Sequence, residues 1–209
     1  MKYLFFGGSS EIALKLAANI RDVDCVSRKK KFFYKKFFKV KDYQNKSLKK
    51  VFSVINSKYD NIVIFNGNYE SSILTNYLEK EFNESFNKNF KIPLQIAVSS
   101  INNKILNKNG SIFFISSIAA ESDEIGNAYY SLAKNCLNFA AKILGKEQKN
   151  RGIRVNVISL GLVNNRMGKS TLFNKINQKK YLDKKKYINL ILTKLKDKKV
   201  NLKKILIKW

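Results

Sequence analysis

The chain opens on a short apolar run, Tyr3 to Phe6, which breaks at Gly7-Gly8-Ser9-Ser10 and gives way to apolar residues at helical spacing. An unbroken run of this length fits a strand covered on both faces, and the spacing after it fits an amphipathic helix through Asn19. The alternation then recurs. Val23 to Val26 and Phe37 to Val40 read as strands two and three. Lys46 to Ile55 reads as a helix with Leu48, Val51, Phe52 and Ile55 on one face, and Asn61 to Phe65 as a near-continuous apolar strand. Glu79 to Leu106 carries helical periodicity through Phe82, Phe86, Phe90, Ile96, Ile101 and Ile105, with the only proline, Pro93, in its interior. Ile112 to Ile115 is a further strand, Asn127 to Glu147 a long helix and Ile153 to Ile158 a strand. A helix around Tyr187 to Leu195 and a last strand, Ile205 to Ile207, complete the pattern.

Strands alternating with helices, with no internal repeat and no Pro- or Ser-rich linker, predict an α/β fold. We expect a single domain over residues 1–209, a Rossmann-like doubly wound parallel sheet of about seven strands with helices on both faces. A chain of 209 residues is about one domain long and buries a sizeable core. The apolar runs are too short to span a bilayer, and the first of them reads as a buried strand rather than a leader because Gly7 and Gly8 open a helical pattern directly. Two cysteines, Cys25 and Cys136, are too few for a disulfide scaffold and fit a cytoplasmic protein. With no histidine, Ser-His and Cys-His nucleophilic mechanisms are excluded, and no metal site is expected.

The net charge of +26 raises the question of a nucleic-acid partner. The basic residues are nearly all lysines spread along the chain, which fits solvated faces better than a phosphate-reading patch. The run Arg28 to Lys39, RKKKFFYKKFFK, is the exception, since basic and aromatic residues interleave there as in single-strand binders.

Candidate chemistry concentrates between Ser111 and Lys134. There a strand ends in Ser116-Ser117, and the helix after it carries Tyr130 and Lys134 at i and i+4, on one face. A phenol with an ordinary pKa near ~10 moves protons at neutral pH only if a cation lowers that value, and a lysine one turn away is such a cation. Tyr181 and Lys185 repeat the spacing without the context.

The runs GSIFFISSIAA, AYYSLAK and RGIRVN together resemble the second half of a short-chain dehydrogenase/reductase. The resemblance implies a catalytic set of Ser117, Tyr130 and Lys134, completed by Asn89 holding a relay water. It also implies cofactor contacts from Gly7, Ser9, Ser10 and Ile12 at the first turn, Asn66 and Gly67 after the fourth strand, and Gly161 and Val163 after the sixth, besides Tyr130 and Lys134. The glycine motif is divergent: Gly7 matches, but Glu11 and Ala13 stand where the family has glycine. At the end of the second strand, Ser27 replaces the acid that holds the ribose of NAD and Arg28 follows, so NADP(H) is the expected cofactor, with NAD(H) second. A homodimer or homotetramer and a small carbonyl or alcohol substrate are expected. The loops carrying Ser122, Asp123, Glu124, Asn164 and Arg166 lean toward a hydroxylated substrate such as a nucleotide-linked sugar. Two other classes stay open, a silent nucleotide-binding or scaffolding relative and a nucleic-acid binder.

Overall fold

The computed structural model describes residues 1–31, 33–169, 181–197 and 204–207. Seven parallel strands form one sheet: β1 (Tyr3–Phe6), β2 (Val23–Ser27), β3 (Phe37–Lys39), β4 (Tyr59–Ile64), β5 (Leu106–Ser117), β6 (Arg154–Leu160) and β7 (Lys204–Ile207). Their order is β3-β2-β1-β4-β5-β6-β7. The chain runs outward from β1 to β3 and then returns to start the other half at β4. That reversal leaves a crevice beyond the carboxyl ends of β1 and β4, the place where open parallel sheets bind ligands.

The helices are α1 (Glu11–Ala17), α2 (Asn45–Val54), α3 (Glu79–Phe86), α4 (Ile92–Asn102), α5 (Ala128–Glu147), α6 (Arg166–Lys169) and α7 (Lys184–Lys196). Two apolar clusters, one on each face of the sheet, hold them. Leu48, Val51 and Phe52 of α2 join Ile96 and Ile101 of α4 and Leu137 and Ala141 of α5 on one face. Leu16 of α1 and Tyr187, Ile191 and Leu195 of α7 pack on the other. Each leucine, isoleucine, valine or phenylalanine among them contributes roughly 1.5–3 kcal/mol when fully buried.

Two elements differ from expectation. The periodic segment Glu79 to Leu106 ends at Asn102 and is interrupted by a π-helical stretch, Asn87–Lys91. Pro93 has no N–H for the α-helical ladder, and the Ile92 N–H reaches back five residues to the Asn87 carbonyl. Strand β5 begins at Leu106, well before Ile112, because it detours at Asn109 (φ 62°) and re-enters register at Ser111 opposite Asn61. A charged residue, Asp24, lies fully buried in β2. It accepts from the Tyr59 hydroxyl at 2.9 Å and the Lys36 N–H at 3.0 Å, with Lys2 Nζ 3.7 Å away.

In the basic run Arg28 to Lys39, Phe32 lies outside the described residues. Tyr34 folds back onto Phe5 and donates to the Gly8 carbonyl. Phe37 and Phe38 are half-buried in β3, so Phe33 is the exposed aromatic among the described part of the run. Residues 175–180, 198–203 and 208–209 of the expected tail also lie outside the described residues. No helix among the described residues is long and apolar enough to cross a membrane, and no cluster of three metal-ligating side chains occurs among them.

Candidate active site

Strand ends place the site. Each parallel strand delivers its following loop to the same edge, so Gly7 to Ser10, Phe65 to Tyr69, Ser116 to Ala119 and Gly161 to Val163 meet there. They surround a cavity of about 770 Å³. Of the residues singled out from the sequence, Ser9, Ser10, Ile12, Gly67, Ser117, Tyr130, Lys134, Gly161 and Val163 line it. Gly7, Ser27, Arg28, Asn66 and Asn89 do not.

Tyr130 lies in the first turn of α5 and Lys134 one turn on, and both are buried. Lys134 Nζ sits 5.8 Å from the centre of the Tyr130 ring and donates to the Ile115 carbonyl at 3.1 Å. Burial pushes the lysine down to about 8 and the Tyr130 phenol up to about 12. The Ser117 hydroxyl draws that phenol downward, while the Tyr69 phenol raises it slightly. The lowering of Tyr130 by Lys134 expected from the sequence is not what these side chains produce; desolvation of both dominates. Ser117 ends β5 and its Oγ accepts from the Ala119 N–H at 3.2 Å, which fixes the hydroxyl at the head of the following turn.

The π-helical stretch turns Asn89 inward, where it is 1% exposed. Its Oδ1 accepts from the Asn68 N–H at 3.0 Å and its Nδ2 donates to the Ser85 carbonyl at 3.1 Å. The amide therefore anchors the backbone beside Gly67. Ser27 also differs from expectation: buried, it donates to the Lys29 carbonyl at 2.6 Å instead of facing the cavity. Arg28 is exposed next to it. Asn66 keeps its Oδ1 buried near Gly7 with no hydrogen-bond partner among the described residues.

The sequence did not single out three contributors. The Tyr43 hydroxyl donates to the Val26 carbonyl and accepts from the Gly7 N–H, both at 3.1 Å, and so props the first glycine turn. Tyr69 meets the Tyr130 ring edge-on at 5.5 Å, and its hydroxyl bonds Asn127 Oδ1 at 2.8 Å. Tyr69 follows Gly67 by two positions, a signal available in advance. Asn127 offered none in a chain so rich in asparagine.

A family model described as short chain dehydrogenase matches residues 10–175. The chain is 34% identical over 121 residues to a 3-oxoacyl-(acyl-carrier-protein) reductase of Buchnera aphidicola subsp. Baizongia pistaciae. That match covers 56% of this chain but only 47%, about half, of the relative. Among solved structures, a short chain dehydrogenase family protein of Francisella tularensis superposes with a TM-score of 0.85 at 19% identity, covering 99% of this chain and 96% of that one. A small-chain dehydrogenase in complex with NADPH superposes at 0.81 and 16% identity, covering 100% and 96%. At such identities the solved structures establish the shared fold, and the family match over most of the length establishes descent: the chain belongs to the short chain dehydrogenase family.

Proposed function

We propose that this chain is an NADPH-dependent oxidoreductase that interconverts a carbonyl and an alcohol. The observation that carries the reading is that Ser117, Tyr130 and Lys134 share one cavity with Ser9, Ser10 and Ile12 on one side and Gly161 and Val163 on another. A dinucleotide fits these residues. At Gly67 a Cβ would collide with Asn89 and Lys134, so only bare backbone fits there, beside the cavity.

When bound, the cofactor supplies the hydride. Ser117 holds the substrate oxygen by a hydrogen bond, and Tyr130 delivers the proton to it in the reductive direction. Lys134, at about 8, is mostly an ammonium at neutral pH. One of its protons goes to the Ile115 carbonyl, and two remain for ribose hydroxyls and for stabilising the phenolate left on Tyr130. Asn89 acts as a positioning residue through Asn68. Arg28 is the group for the 2′-phosphate that sets NADPH above NADH. A carbonyl panel with NADPH consumption as readout tests the reading, and no consumption with any of the panel would sink it.

A silent relative is the second reading, favoured by Glu11, whose carboxylate lines the cavity beside Ser9 and Ser10 where phosphates would lie. Cofactor binding without turnover would select it. The nucleic-acid reading is disfavoured by the uptake of Tyr34, Phe37 and Phe38 into the fold. Self-association is part of the proposal: Leu132, Phe139 and Ile143 form an exposed apolar row along α5, with Val98 exposed on α4.

A further inference from the structure

Tyr130 is faced by a group of side chains that hydride and proton transfer do not require. From the edge of the Tyr130 ring, the Tyr69 hydroxyl donates to Asn127 Oδ1 at 2.8 Å, and Asn127 Nδ2 donates to Glu124 Oε2 at 3.2 Å. Both donors in this relay point toward Glu124, and all three residues line the cavity. Glu124 makes no ion pair among the described residues, although the chain carries 41 lysines and arginines against 15 acids. The buried Asp24, by contrast, has Lys2 at 3.7 Å. Glu124 is exposed at the cavity rim, yet modest desolvation, and then the charge of Asp123, hold its carboxyl above its usual range against the lowering hydrogen bond from Asn127. Its anionic form therefore gains from a donor or cation arriving in the cavity.

Besides Lys134, Arg166 is the basic residue on the described wall, and it also lines the adjoining groove with Glu11, Leu14 and Lys15 of α1. Arg166 therefore borders both the cavity and the groove along α1.

We propose that Glu124, held by Asn127 and Tyr69, is the specificity-determining residue of this cavity, and that it selects substrates bearing an ammonium or hydroxyl donor near the reacting carbon over anionic ones. The inference rests on the reductase reading and narrows it. A nucleotide-linked sugar, with its diphosphate, or a substrate on an acidic carrier would bring negative charge toward the Glu124 carboxylate.

Three alcohols of nearly equal size test the selection: 1-amino-2-propanol, 1,2-propanediol and lactate, titrated calorimetrically into the protein saturated with NADP. The amino alcohol should bind at least about fivefold more tightly than lactate, the order of effect of one partly exposed ion pair. In Glu124→Gln that ratio should fall below about twofold, and in Glu124→Lys it should invert. Equal binding of the amino alcohol and lactate, or a ratio untouched by Glu124→Gln, would overturn the inference. The matching ketones, aminoacetone, hydroxyacetone and pyruvate, separate it from the reading beneath it. A persistent binding preference with no NADPH consumption by any of them sinks the reductase and leaves the selection standing. Equal kcat/KM for all three does the reverse.

Discussion

Gly67 is packed against Lys134 so closely that a Cβ on it would lie 3.1 Å from Nζ, and 2.8 Å from Asn89 Oδ1. Its φ of 152° is one that side-chain-bearing residues rarely adopt. Gly67→Ala should therefore lower stability by about 1–3 kcal/mol through backbone strain. It should also reduce turnover by displacing the lysine. Thermal unfolding together with steady-state kinetics checks this, and a variant matching the native protein in both would contradict the close approach.

Replacing Tyr130 by Phe removes the proton donor and little else. Turnover should fall by about 100-fold to 10,000-fold, the usual range for general acid catalysis, while NADPH affinity stays nearly constant. Tyr181→Phe, which removes the other tyrosine followed by lysine four places on, should do neither. A loss below tenfold in Tyr130→Phe would reassign the donor.

Lys134 couples the site to stability. Its pKa falls from 10.5 to about 8 on burial, so between those values the unfolded chain binds more protons than the folded one. Stability from this group consequently rises with pH across about 8 to 10.5 and is lowest below 8. Tyr130 acts in the opposite sense above its ordinary value of 10.0, because the folded phenol holds its proton up to about 12. Lys134→Met should raise the melting temperature of the ligand-free protein at pH 7, and that advantage should shrink toward pH 10. The same substitution should damage cofactor binding. An advantage independent of pH would mean that the lysine is not desolvated.

Arg28 carries the cofactor choice. Native protein should bind NADPH at least tenfold more tightly than NADH, since a charge-assisted contact to the 2′-phosphate contributes about 1.5–3 kcal/mol. Arg28→Ala should remove most of that margin. We favour this change over substitution at Ser27, which is buried and bonded to the Lys29 carbonyl. Equal affinity of the native protein for both cofactors would contradict the assignment.

Phe139, 63% exposed on α5, should be covered in the assembly. Light scattering at micromolar concentration should give a dimer or tetramer, and Phe139→Lys should shift it toward monomer. A native monomer would remove the interface.

What the sequence determined by itself were the features with a local physical cause. Unbroken apolar runs such as Ile62 to Ile64 and Ile112 to Ile115 had to be strands covered on both faces, and a doubly wound sheet follows from their alternation with helices. The i, i+4 spacing of Tyr130 and Lys134 placed both on one helix face, and a strand ending at Ser117 put the hydroxyl within reach. Tyr181 and Lys185 show the limit of spacing alone, because Tyr181 precedes α7 and the two never share a helix. Tertiary structure decided the rest. Whether Asn89 faces the cavity depended on a π-helical stretch that periodicity cannot register, and whether Ser27 faces it depended on a hydrogen bond turned inward. The relay joins Tyr69 to Asn127, 58 positions further on, and Asn127 to Glu124, three positions before it. It exists only because parallel pairing brings the ends of β4 and β5 side by side. Sequence patterns encode which face a residue takes, whereas the partners on that face are chosen by the long-range packing of the sheet.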